Sequence, residues 1–152
     1  MTSAGRLFQR AVSFLVHGGA FSLRDYESRI LEAAAASLSV EDRAALQAQL
    51  QDLEHLKRLH ADRMVTFYFF DRARLPLLSE RGGSFCLAAF ELRAGSGSKL
   101  RASVFSHEGI LSSLEFKQPP LALAKAEGFE VKLVARKAAR SLSQSLDDEE
   151  HG

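Results

Sequence analysis

Between residues 84 and 136 apolar side chains fall at every second position, and turn signals break the run at short intervals. A period of two points successive side chains to opposite sides, so this stretch can bury its apolar half only as strands covered on one face. Residues 84–93 make one strand, and Gly95-Ser96-Gly97-Ser98 is a flexible hairpin loop. Residues 99–106 and 110–117 make the next two, joined by the tight turn His107-Glu108-Gly109. Pro119–Pro120 ends the run, since proline cannot donate to a ladder. Residues 121–127 read as a short helix begun by Pro120, and 129–136 as a further strand. Upstream, Val65-Thr66-Phe67-Tyr68-Phe69-Phe70 is too aromatic and β-branched for a helix and reads as a buried strand, which brings the count to about five.

The first third has helical spacing. Residues 4–17 place Leu7, Ala11, Phe14 and Leu15 on one stripe, and Gly18–Gly19 supplies a stop. Ser22 caps a second helix whose stripe is Leu23, Tyr26, Ile30 and Ala34, with Asp25 near its positive end. Ser39 starts a third, followed by Glu41 and Asp42, and carries Leu46, Leu50, Leu53, Leu56 and Leu59 three or four apart. An antiparallel pairing of the second and third helices follows. After Lys137 the pattern fades to a marginal helix and then to Asp147-Asp148-Glu149-Glu150. The expected architecture is α+β: about three N-terminal helices on one face of a mainly antiparallel sheet. Residues 1–146 form a single domain in this reading, and 147–152 an acidic, disordered tail.

Alternation assigns the faces. Cys86, Ala88, Phe90, Leu92, Leu100, Ala102, Val104, Ile110, Leu114, Phe116, Phe129, Val131, Leu133 and Ala135 share the core side. The opposite side carries Glu91, Arg93, Arg101, Ser103, Phe105, His107, Leu111, Ser113, Glu115, Lys117, Glu130, Lys132, Val134 and Arg136. There Phe105 and Leu111 are apolar centres ringed by charge, as recognition surfaces tend to be. Arg93, Arg101, Phe105, His107, Leu111, Glu115 and Lys117 are therefore the candidate binding residues.

The chain offers little to catalysis. His107-Glu108-Gly109 pairs an imidazole with a carboxylate, but adjacent residues on a hairpin point apart, and Gly109 is what the turn requires. His55 and His60 are five apart, not the four that a helical zinc site needs. The lone Cys86 falls on the core side, where cysteine acts as a small hydrophobe. No phosphate-cradling loop or nucleophile elbow is present, so no enzyme, cofactor or metal site is expected. One cysteine suits a reducing compartment. The longest apolar stretches fall far short of a membrane span, and Ser13 and His17 interrupt the N-terminal apolar patch that follows Arg6 and Arg10. A cytoplasmic protein with no membrane partner is the expectation.

The overall net charge of +1 hides a division. Residues 1–63 balance; residues 64–146 hold twelve basic against seven acidic side chains, a net of +5; residues 147–152 carry −4. The basic sheet half could draw an anionic ligand or nucleic acid, with the tail competing for the same surface. Nucleic acid ranks below protein as a partner, because Phe105 is the one clear outward aromatic available for stacking.

The run Val104-Phe105-Ser106-His107-Glu108-Gly109-Ile110-Leu111-Ser112-Ser113-Leu114-Glu115-Phe116, closed by Pro119–Pro120, resembles a hairpin found in small bacterial α+β proteins. Several immunity-protein families of toxin–antitoxin competition systems carry it in the form apolar-x-x-Gly-x-Leu-x-x-Leu-Glu-Phe. The resemblance covers about 17 residues and implies a protein that binds and blocks a toxin or effector domain. No family site residue carries over with it. The abundance of alanine, and of Arg over Lys, agrees with a GC-rich bacterial genome. The expected function is thus non-enzymatic protein binding through the open sheet face, with self-association through that face as a compatible outcome.

Overall fold

A computed structural model of the chain describes residues 3–8, 22–95, 97–125 and 128–139. Residues 3–8 are helical; the rest of the expected first helix, its glycine stop and the acidic end lie outside the described residues. Helix α1 (Asp25–Ala36) buries Tyr26, Ile30, Leu31, Ala34 and Ala35. Its N-cap is Arg24 and not Ser22, because Glu27 Oε1 reaches back to accept the Arg24 backbone N–H at 2.7 Å. Helix α2 (Val40–Gln51) starts as expected at Ser39, whose Oγ accepts the Asp42 N–H at 3.2 Å. Arg43 then donates to Ala35 O and Ala36 O at 3.2 and 3.1 Å, satisfying terminal carbonyls of α1 and joining the two helices.

The chain does not stay helical past Gln51. Leu53–Leu59 is a strand, β1, paired antiparallel with β2 (Met64–Phe69), so the sheet has six strands and the leucine series does not lie on one helix. After a short 3₁₀ turn (Arg72–Arg74) come β3 (Ser84–Ala94), β4 (Lys99–His107) and β5 (Ile110–Phe116). Helix α3 (Leu121–Lys125) and β6 (Phe129–Ala139) complete the described fold. The strand β6 runs through residues 137–139, where the fading pattern suggested a helix. The sheet order is β1-β2-β5-β4-β3-β6 with every pairing antiparallel. The fold is α+β, and α1 and α2 share one core with the inner face of the sheet.

Four bulges set which residues face that core. The β1–β2 register skips Glu54, so Leu53 and Leu56, three apart, both point inward. The β4–β5 register skips Ser112, and Leu111 joins Leu114 inside. Leu87 is the extra residue in β3: it is buried together with Ala88, while Cys86 pairs with Phe105 on the other side and is only half-buried. In β6, Val134 is the extra residue, and Ala135, expected inside, is exposed.

The β1–β2 connection is unusual. His60, Ala61 and Asp62 all have left-handed φ, at 54°, 54° and 64°. An ion pair between Arg24 Nη1 and Asp62 Oδ2 at 2.7 Å ties this turn to α1. That bond to Asp62 pushes the Arg24 guanidinium pKa up, and burial pushes the Tyr26 phenol up beside it. Alanine is strained at φ 54°, whereas glycine is not. Ala61→Gly is therefore expected to stabilise the protein by roughly 0.5 kcal/mol, since relief of strain exceeds the entropy lost by a freer unfolded chain. Urea unfolding checks the sign, and a destabilised variant would contradict this account of the turn.

Two buried polar side chains anchor the long β2–β3 connection. The Asp42 carboxylate accepts the Ser79 N–H at 2.8 Å and its hydroxyl at 2.6 Å. Gln49, wholly buried, donates through Nε2 to Pro76 O and Gly109 O at 2.7 and 3.0 Å. Its Oε1 accepts the Leu111 N–H at 2.8 Å. Gly109 (φ +81°) passes so close to this loop that a Cβ there would stand 3.2 Å from Leu78 O. The β4–β5 turn and its bulge are thereby locked in one phase.

Candidate binding face of the sheet

With α1 and α2 on the inner face, the outward alternate residues of the sheet define the candidate site. Directly paired residues share a face, so the registers assign them. Lys57 pairs with Thr66, which pairs with Ser113, which pairs in turn with Phe105. His107 pairs with Ser84, and their side chains meet, Ser84 Oγ to His107 Nδ1 at 3.0 Å. Next to the Glu54 bulge, the His55 ring stacks on Tyr68, centroids 4.5 Å apart and planes 5° from parallel. Lys57 Nζ lies 5.9 Å from the centre of the same tyrosine ring. Glu54 Oε1 is 3.4 Å from His55 Nδ1.

Glu54, His55, Lys57, Thr66, Tyr68, Ser84 and His107, with Arg72 and Ser112, line a groove of about 700 Å³. His55 is buried at its base, whereas Tyr68 is 39% exposed and His107 and Arg72 are exposed. Neither Lys57 nor Arg72 has a carboxylate within ion-pairing distance among the described residues. A second cavity, of about 420 Å³, lies between residue 6 and the end of β2. Its charges are matched internally, Arg6 with Asp52 at 3.0 Å and Arg74 with Asp71 at 3.3 Å.

The far end of the outer face has a different character. Glu91 pairs with Arg101 on one side and Lys132 on the other, and Arg93 pairs with Glu130. Opposite charges placed cross-strand largely neutralise one another. Lys99, paired with Arg93, leaves that neutralisation partial, and at the β1–β2 end Lys57 and Arg72 share their groove with Glu54.

The residues expected from sequence divide accordingly. His107 lines the groove, and Phe105, half-buried, lies two residues back along the same strand and face. Arg101 and Glu115 share that face farther along, with Ser103 between them in the ladder. Arg93 sits at the neutralised end, 4.0 Å from Glu91. Lys117 is exposed just past β5, its N–H bonded to Arg101 O. Leu111 does not belong to the set: it is 1% exposed and packs in the core, because the Ser112 bulge reverses its phase.

Sequence spacing does not flag Lys57, Thr66, Tyr68, Arg72 or Ser84, and it places His55 on a helix. The available signal was Glu-His-Leu-Lys-Arg-Leu beside Met-Val-Thr-Phe-Tyr-Phe, two strand-length segments around four polar or small residues.

The Ser84–His107 contact is what two outward partners of a ladder make. The neighbouring Glu108 carboxylate stands 3.9 Å from His107 Nε2, with the two side chains 68% and 49% exposed, so water competes for both. No group of three or more His, Cys, Asp or Glu is placed to hold a metal ion among the described residues. No described helix is long and apolar enough to cross a membrane. No family model matches the chain, and neither a curated protein nor a solved structure matches it.

Proposed function

We propose that the chain is a non-enzymatic protein-binding protein, of the kind that inhibits a bacterial toxin or effector domain, and that it binds through the outer face of its sheet. The observation that carries this reading is the Tyr68–His55 stack at the groove, a rigid aromatic anchor flanked by Lys57 and the exposed His107. Partly exposed aromatics beside cationic side chains are what interface hot spots are made of. Phe105 and Arg101 extend the same face toward β3. The alternative, an anionic ligand or nucleic acid on the basic half, finds less support here. Glu91, Glu115 and Glu130 share the face, and the exposed Tyr68 ring at the groove is already stacked on His55.

The test is partner capture with the full chain, followed by affinity measurement on the purified partner. Tyr68→Ala combined with His107→Glu is expected to weaken binding at least about thirtyfold, the loss of one aromatic hot spot. The melting temperature should stay within a few degrees. Val40→Glu, on a residue 75% exposed at the start of α2, should leave binding unchanged. If Val40→Glu abolishes binding and the outer-face variant does not, the assignment fails.

A further inference from the structure

We infer that the groove at the β1–β2 end receives an acidic segment of a polypeptide partner, its carboxylates placed between Lys57 and Arg72. This rests on the protein-binding reading and specifies the chemistry of the partner.

Three observations carry it. Lys57 and Arg72 border one groove, and each lacks a carboxylate in ion-pairing range among the described residues. At the other end of the same face Arg93, Arg101 and Lys132 stand opposite Glu130 and Glu91 in the ladder, and Lys99 opposite Arg93. Around the groove, Thr66, Tyr68 and Ser84 add hydroxyls that can donate to carboxylate oxygens. The groove, with Lys57 and Arg72 against the one carboxylate of its lining, Glu54, is therefore a net-cationic, donor-lined recess at one edge of the face. An anion entering it exchanges water for charge-assisted hydrogen bonds in a partly enclosed site.

The occupant follows from the surroundings. A polyanion with one negative charge per nucleotide needs a continuous line of cations, which Glu91, Glu115 and Glu130 interrupt along the rest of the face. A polypeptide can place two or three acidic residues in the groove and meet the rest of the face with neutral or basic side chains.

The test uses the full chain and three fluorescent probes of equal length: an octaglutamate peptide, a neutral Gly-Ser peptide and an eight-nucleotide oligothymidylate. Anisotropy titrations at low salt are expected to show saturable binding of the glutamate peptide and none of the neutral one. The oligonucleotide should bind more weakly than the glutamate peptide. Lys57→Glu with Arg72→Glu should reduce affinity for the glutamate peptide at least tenfold. Lys99→Glu with Lys132→Glu, the same change in net charge at the other end of the face, should reduce it less than threefold. Equal losses from both pairs would mean diffuse attraction and would overturn the inference, as would tighter binding of the oligonucleotide. If charge reversal impairs folding, Lys57→Gln with Arg72→Gln asks the same question. Should the glutamate peptide fail while Tyr68→Ala with His107→Glu still abolishes partner binding, the acidic occupant is wrong and the binding face stands.

Discussion

Arg58→Met is expected to lower folding stability by about 3 to 5 kcal/mol, because it strands a carboxylate that water does not reach. The Glu27 side chain is 0% exposed and that of Arg58 13%. Their contact is two-pronged, Nη2 to Oε1 at 2.5 Å and Nε to Oε2 at 3.0 Å, and Nη2 also donates to Ser22 O at 3.2 Å. The pair joins α1 to β1 across the core side, and in its absence Glu27 keeps the hydrogen bond from the Arg24 N–H. The double change Glu27→Leu with Arg58→Met removes both charges and should recover most of the loss, since apolar replacements of a buried ion pair are often neutral. Urea unfolding of the two variants separates charge from shape. If the double variant is as unstable as Arg58→Met, packing and not an orphaned carboxylate is responsible.

Gln49→Leu should cost about 3 kcal/mol, on the order of 10 °C in melting temperature for a domain of this size. The leucine fills a similar volume but leaves Pro76 O and the Leu111 N–H without the bonds that Gln49 supplies. Gly109 O keeps a donor, the Leu78 N–H at 2.9 Å, so the penalty falls on two groups and not three. Gln47→Leu on the exposed side of α2 is the matched control and should stay within about 0.5 kcal/mol of the parent. Equal stability of the two variants would show that the buried amide does not hold the loop. The same bonds fix the Ser112 bulge, which keeps Leu111 inside and the strand in phase, so partner binding should fall along with stability.

The helices, hairpins and inner face were legible in the sequence wherever the period stayed constant. Ser39 announces α2, Gly95 to Ser98 and His107 to Gly109 announce the hairpins, and Phe90, Leu92, Ala102 and Val104 alternate inward as expected. The failures at Leu53, Leu56 and Leu111 share one physical cause. A bulge inserts a residue without changing the partner strand, so two inward apolar residues end up three apart, which mimics helical spacing. Leu53 and Leu56 were read as a helix stripe for that reason, and Leu111 was read as outward because Leu114 is inward. Losing β1 as a strand removed Lys57 from the sheet and left the Tyr68–His55 anchor without a face to belong to. His107 and Phe105 were legible because no bulge separates them from each other in β4.

Hydroxyl-radical footprinting of the chain alone and with its captured partner tests the binding face most directly. Tyr68 and His107 report the groove, while Val40 and Leu121, 75% and 62% exposed at the starts of α2 and α3, report elsewhere. The account predicts that oxidation of Tyr68 and His107 falls severalfold in the complex while Val40 and Leu121 keep their rates. Protection of Val40 and Leu121 with Tyr68 and His107 unchanged would contradict it.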